Sequence, residues 1–322
     1  HAQMPEADFY VSILSRSGVE TLSTKSTRPS RQAWEETRHN SDKNYLITPG
    51  NAAALLQALG IAGENGSIRA PMQAKYRQIN HFLSIATQLD TVQNNENLRI
   101  VDCGCGKAYL SLALYYVLTT MMGKTVELTG IDTNRQVIDF CNQTAQTLHF
   151  DKAHFLCMPI SDFKMDGPAD IVIALHACDT ATDDALALAL QVQAQAVLAA
   201  PCCHHYVNAQ LRLASAPDNV ALLLQDGITR ERLADLLTDS MRRDILKAYG
   251  YSASLIEFVA PEHTTKNILI RAEHPLRPSS PDAVKLQRVR DDMQRWSTGP
   301  KLVEMLEDKK KRDKALHRSL FL

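Results

Sequence analysis

No apolar run in this 322-residue chain approaches the roughly 20 residues that a bilayer-spanning helix requires. Its first residues also lack the basic start and apolar stretch of an export signal. Neither a membrane-spanning nor an exported protein is expected, and the chain reads as soluble and cytoplasmic. A dominant charge is missing too, since 35 Lys+Arg against 36 Asp+Glu leave a formal net charge of −1. No global field draws such a chain to nucleic acid or to a membrane, and any basic footprint is local. Aromatic residues are scarce at 6%, which lends no support to a base-stacking surface. The seven cysteines are odd in number, and four stand in close couples, Cys103 with Cys105 and Cys202 with Cys203. That is a poor disulfide framework, and reduced thiols are the simpler account. No repeat is visible.

What is present is 45% hydrophobic and 22% charged composition, the balance of a globular protein with a large core. Residues 1–70 are irregular, apart from a short helix expected over 51–59. From Met72 to Leu89, apolar residues recur every three or four positions, which predicts an amphipathic helix with Lys75, Gln78 and His81 off its apolar stripe. After a polar break at 93–97, short apolar runs at 98–103, 126–131, 153–157, 170–175 and 196–200 alternate with helical segments at 109–122, 134–148 and 182–193. Strands this continuously apolar need cover on both faces, so the alternation predicts a parallel sheet wrapped by helices. A long helix at 229–249 leads to two β-rich runs, 252–259 and 267–272, separated by a turn, which read as a closing antiparallel hairpin. The expected organisation is an N-terminal extension, 1–71, a Rossmann-like domain, 72–273, and a helical C-terminal extension, 274–322.

The sharpest local signal is Asp102-Cys103-Gly104-Cys105-Gly106-Lys107 at the end of the first strand. Glycines there permit a tight turn and close backbone approach to a ligand, and the next helix offers unsatisfied N–H groups. A dinucleotide site prefers a third glycine where this chain has Tyr109, and an acid next to the loop would repel a pyrophosphate. Beside the ammonium of a methionine moiety, Asp102 is useful. Asp132 ends the second strand, where its carboxylate meets ribose hydroxyls, and Asp162 follows the third strand, within reach of an adenine amine. Helix capping is the plain alternative for Asp102 and Asp132, and an ordinary loop position for Asp162.

With Leu175-His176-Ala177-Cys178-Asp179-Thr180-Ala181-Thr182-Asp183 after strand four and Pro201-Cys202-Cys203-His204-His205 after strand five, the chain resembles the class I S-adenosylmethionine-dependent methyltransferases. Within them it looks like a methyltransferase-like family carrying these H-x-C-D and P-C-C-H-H motifs, distantly similar to tRNA 2′-O-methyltransferases. The resemblance covers about residues 72–272. It implies a mostly parallel seven-stranded sheet with a closing antiparallel hairpin, S-adenosylmethionine as cofactor, and methyl transfer to RNA, either tRNA or rRNA. Where the tRNA enzymes carry a lysine, this chain has Leu175, which counts against ribose methylation. The Asn/Asp-Pro-Pro-Tyr signature of amino-methylating enzymes is also missing. A protein or small-molecule acceptor, and an idle cofactor-binding scaffold, are the alternatives.

Ligands on open parallel sheets sit beyond the carboxyl ends of the strands, so Asp102, Asp132, His176 and Cys202 to His205 are expected around one crevice. Transfer from a sulfonium is an in-line displacement in which positioning carries most of the work. Where the acceptor must lose a proton, His176 is the first candidate base, followed by Asp179, His204 and His205. Gly104, Gly106 and Lys107 complete the expected cofactor contacts. Cys178, Cys202, Cys203, His204 and His205 superficially resemble a zinc set, but neighbouring cysteines on an extended chain point apart. The expectation is therefore no metal, with the thiols packed against the cofactor loop. A basic footprint for RNA is expected in the N-terminal extension (Arg16 to Lys43) and around Lys309 to Arg318. The sequence assigns no oligomeric state.

Overall fold

Apolar runs without polar alternation require cover on both faces, and the chain builds that arrangement. The computed structural model describes residues 45–175, 177–213, 221–258, 268–274 and 281–308, together with a small antiparallel pair, Val11–Ser12 with Ser23–Thr24. Two units divide the chain, His1–Tyr45 and Leu46–Leu322, and the α/β fold belongs to the second. Its sheet comprises β1 (Asn97–Cys103), β2 (Thr125–Asp132), β3 (Ala153–Cys157), β4 (Ile171–Ala174), β5 (Ala196–Ala199), β6 (Ser252–Glu257) and β7 (Ile268–Glu273). The spatial order is β3-β2-β1-β4-β5-β7-β6. Neighbours pair in parallel except at β7, which is antiparallel to both β5 and β6. Every residue of β4 and β5 is buried, as strands covered on both faces must be.

The helices are α1 (Ala53–Ala58), α2 (Gln73–Ala86), α3 (Asp90–Asn94), α4 (Tyr109–Tyr116), α5 (Arg135–Thr147) and α6 (Thr180–Gln191). They are followed by α7 (His205–Leu213), α8 (Ala221–Gln225), α9 (Gly227–Ala248) and α10 (Ala283–Trp296). Local chemistry sets their starts: Asn134, Asp226 and Asp282 each accept from two backbone N–H groups of the first turn of α5, α9 and α10. Helix α2 follows a 3₁₀ turn, Ala70–Met72, opened by Pro71. Of the expected stripe, Tyr76, Ile79, Leu83 and Ala86 are buried in α2 and Leu89 just beyond it, while Met72 is half-buried before the helix begins; Phe82 is buried as well. The run at 109–122 is one helix to the eye but two in structure, because α4 gives way at Val117–Met121 to a wider π turn. Helix α7 was not expected from the sequence.

The segments flanking the Rossmann-like part join its packing. Ile47, Leu55, Leu56 and Ile61 are fully buried, and Asn80 of α2 both accepts from Ile47 N and donates to Ile47 O. At the other end, Val289 and Leu302 enter the same apolar cluster as Val172, Val197 and Ile270. Among the described residues no helix is long and apolar enough to cross a membrane.

The chain enters the sheet at its centre, runs outward to β3, and then crosses back to β4 on the other side of β1. The outgoing connections after β1 and β4 therefore diverge and leave a crevice beyond their carboxyl ends. Register places Asp102 at the mouth of that crevice, opposite Gly130 on β2 and Ile173 on β4. Gly130 also lies opposite Phe155, and a Cβ built on it meets Phe155 Cδ1 at 2.3 Å and Cys105 Sγ at 3.2 Å. Replacing Gly130 by Ala should therefore lower unfolding free energy by about 1–3 kcal/mol, as overpacking does, and urea titration measures it. A loss within experimental error would mean that Phe155 yields without strain.

Candidate functional site

The turn from β1 into α4 is built by three left-handed residues, Gly104 (φ 69), Gly106 (φ 52) and Ala108 (φ 50). Gly104 needs its lack of a side chain twice over, for its φ and because a Cβ there would press on Ala177 at 3.3 Å. A Cβ on Gly106 would meet nothing within 4 Å, so this glycine borders open space. The space is a cleft of about 220 Å³ lined by Lys75, Asp102, the backbone of 104–108, Tyr109, Leu110 and Leu175. Gly106 N donates to Asp132 Oδ2 at 3.0 Å, while Asn134 N donates to Asp132 Oδ1 at 2.9 Å, so the second-strand acid braces the glycine turn. Cys141 Sγ donates to Gly106 O from beneath.

Two opposite charges share this cleft. Burial pushes the Asp102 carboxyl up to about 7, against a hydrogen bond from Ser111 and with help from the charge of Asp132. Lys75 is lowered by burial, donates to Gln78 Oε1 at 2.8 Å, and lies 6.0 Å from the Tyr109 ring centroid. Lys75 and Tyr109 were not among the expected site residues. The signal for Lys75 was its position off the apolar stripe of α2, three residues before Gln78. Of the expected cofactor contacts, Asp102, Gly104, Gly106 and Lys107 line the cleft, and Asp132 supports it. Asp162 lies exposed on the 3₁₀ turn Ile160–Asp162 and does not line it. His176 lies outside the described residues, as do Arg16 to Lys43 and Lys309 to Arg318.

Beyond β4 and β5 the chain is governed by a buried charge network. Arg242 of α9 is 1% exposed and grips Asp183 with two nitrogens, Nε to Oδ1 at 3.0 Å and Nη2 to Oδ2 at 2.9 Å. It also donates to Asp239 Oδ1 at 3.2 Å and to the Asp179 carbonyl at 2.9 Å. His204, equally hidden, places Nε2 at 2.9 Å from Asp239 Oδ1 and Nδ1 at 2.7 Å from Asp235 Oδ1. Burial alone would lower its pKa, but the bonds and charges of the two carboxylates outweigh it and raise the value. With both ring nitrogens engaged, His204 cannot accept a proton from a substrate, so its candidacy as a base is corrected to a structural role. Asp179 is also engaged: it stands at φ 53, ψ −117, and its Oδ1 accepts from Tyr206 N at 3.0 Å in the first turn of α7. A non-glycine residue in that region is strained and persists only when its surroundings over-determine it. His205 begins α7 and is exposed.

The three cysteines of these loops also require a correction. All seven cysteines are described, none in a disulfide. Cys178 is exposed and Cys202 and Cys203 half-buried, so they are not core thiols; Cys103, Cys105 and Cys141 are. Nor do the neighbours point apart: Cys202 Sγ lies 3.7 Å from Cys203 Sγ and 3.1 Å from Cys178 Sγ. Residues 201–204 lie beyond the end of β5 and belong to no strand, so the divergence of neighbours along a strand does not govern them.

The network supports a pH-dependent prediction. A raised native pKa means that protonated His204 stabilises the fold fully below its ordinary value near 6.5, and that this contribution is lost as pH rises through the native value. His204→Gln should thus destabilise more at pH 5.5 than at pH 9 in urea titrations; a pH-independent loss would refute the charged form. Arg242→Met, which strands two buried carboxylates, should cost about 3–5 kcal/mol.

Residues 74–210 match the family described as a methyltransferase domain. No protein of curated function matches the chain in sequence. Among solved structures it is similar to an S-adenosylhomocysteine-bound methyltransferase of Podospora anserina, at 11% identity and TM-score 0.43, covering 76% of this chain and 97% of that one. It is also similar to the magnesium protoporphyrin IX methyltransferase of Synechocystis, at 14% identity and TM-score 0.41, covering 69% and 93%. The glycine turn and the buried acid at the switch point of the sheet both lie within the segment that matches a methyltransferase domain.

Proposed function

We infer that the protein methylates RNA, tRNA or rRNA, at the carboxyl edge of β1 and β4. The observation that carries the cofactor half of this reading is the pairing of Asp102 and Lys75 in one cleft beside the N-terminus of α4. An amino-acid moiety presents both an ammonium and a carboxylate. Asp102 matches the first, and Lys75 with the unsatisfied N–H groups of α4 matches the second. The open space over Gly106 admits a ligand close to the backbone, with Asp132 next to it for ribose hydroxyls. S-adenosylmethionine supplies there a methyl group already activated by its sulfonium charge.

The protein's own work is then orientation and, for an acceptor that must lose a proton, its removal. His176, next in sequence to the cleft-lining Leu175, is the proposed base, and His205 the alternative. The RNA half is supported by the H-x-C-D and P-C-C-H-H motifs, and by Lys107, which is exposed at the cleft rim.

Calorimetry tests the cofactor assignment. Only ionised Asp102 attracts an ammonium, so affinity for S-adenosylmethionine should rise about fivefold from pH 6 to pH 7, with proton release. Asp102→Asn should bind more weakly and without that slope; an equal slope would move the proton elsewhere. Labelled methyl transfer to total tRNA, rRNA and protein tests the acceptor, and His176→Ala should slow it roughly 10²–10⁴-fold. Label in protein alone would overturn the RNA assignment.

A further inference from the structure

The loops after β4 and β5 bring three thiols to one point. Cys178 stands one residue before strained Asp179, and Cys202 and Cys203 stand just before buried His204. The anchors of both loops converge on α9: Arg242 holds the Asp179 carbonyl, and Asp235 and Asp239 hold His204. Two chain segments 24 residues apart in sequence are thereby fixed with their sulfurs together.

The sulfur geometry is that of a metal-binding set. Four-coordinate zinc with Zn–S near 2.3 Å separates its sulfurs by about 3.8 Å. Here the separations are 3.1 Å and 3.7 Å, and all three sulfurs lie within 4.8 Å of one another. Carboxylates are not part of the set, since that of Asp179 faces Tyr206 N. An all-sulfur donor set selects thiophilic ions over magnesium or calcium. Among the described residues no fourth His, Cys, Asp or Glu joins the set, and Cys178 is exposed, which leaves the fourth position to solvent. Burial and the two neighbouring thiols raise Cys202, a burden that a bound cation reverses by holding the sulfurs as thiolates.

We propose that Cys178, Cys202 and Cys203 form a three-thiolate zinc site with an open fourth position, bridging the loops after β4 and β5. The site borders the cofactor turn, because Ala177, the neighbour of Cys178, packs on Gly104. It does not depend on the identity of the methyl acceptor.

The test is a titration of the reduced, metal-free full chain with Co²⁺ under anaerobic conditions, followed by competition with Zn²⁺. One equivalent of Co²⁺ should give tetrahedral visible bands and thiolate charge-transfer absorption, and Zn²⁺ should abolish both. Cys178→Ser, at an exposed position that leaves the fold intact, should lower charge-transfer intensity by about a third and weaken binding at least as much as the roughly 10–100-fold typical of lost outer-shell support. Cys202→Ser and Cys203→Ser should do the same, while Cys157→Ser, on β3, should bind as the parent does. Absence of a Co²⁺ spectrum, a spectrum unchanged by Cys178→Ser, or a Cys178–Cys202 disulfide as the form that persists in reductant would each overturn the proposal.

Discussion

Arg242 is a cation with no access to water, and the architecture around the cleft depends on how its charge is met. Burying a guanidinium is costly unless its donors are all satisfied. Asp183 meets it with both carboxylate oxygens, Asp239 with one, and the Asp179 carbonyl with another. Because Asp239 also meets His204, the chain cannot move the loop after β4 without disturbing the loop after β5. The strained backbone of Asp179 is a consequence of this arrangement: its carbonyl is held by α9 and its carboxylate by α7, and between them the residue has no relaxed alternative. The thiol cluster inherits its geometry from the same anchors. A hydrophobic core of aliphatic side chains would stabilise the sheet equally well, but it would not set the position of two loops to within a hydrogen bond.

The second constraint is topological. A parallel sheet that starts at its centre and reverses direction once leaves a gap where the connections part, and the residues at that gap are decided by strand register. Asp102 is placed there, and burial makes its carboxyl reluctant to ionise. A cleft containing a half-neutral acid and a desolvated lysine is poised to gain charge complementarity only when a zwitterionic group enters. In the function proposed above, selectivity for an amino-acid moiety comes from burial rather than from additional contacts.

The alternation of apolar runs with helical periods made the α/β class, the strand positions and the closing hairpin legible in the sequence, because strands covered on both faces must be continuously apolar. The acid–glycine turn was legible for a similar reason: left-handed backbone at Gly104 and Gly106 needs glycine, and glycine is visible. Helix α2 was readable down to its stripe. The polar network was not, although Asp235, Asp239 and Arg242 recur at helical spacing along α9, since the same spacing serves a solvated face equally well. His204 looked like a base because histidine titrates near neutrality, and only the two carboxylates beside it reveal a buried structural role. Lys75 looked like surface, and only the approach of α2 to the turn after β1 brings it into the cleft. The reversal over the thiols has the same root. Adjacent side chains diverge along a strand, but residues 201–204 lie beyond the end of β5, and His204 at their end is anchored to Asp239 of α9, 35 positions away. The apolar strands, the amphipathic stripe of α2 and the glycine turn are encoded locally and were determined by the sequence alone; the conformation of the loops after β4 and β5 and the mutual approach of side chains depend on which distant elements pack together, and only the tertiary structure decided them.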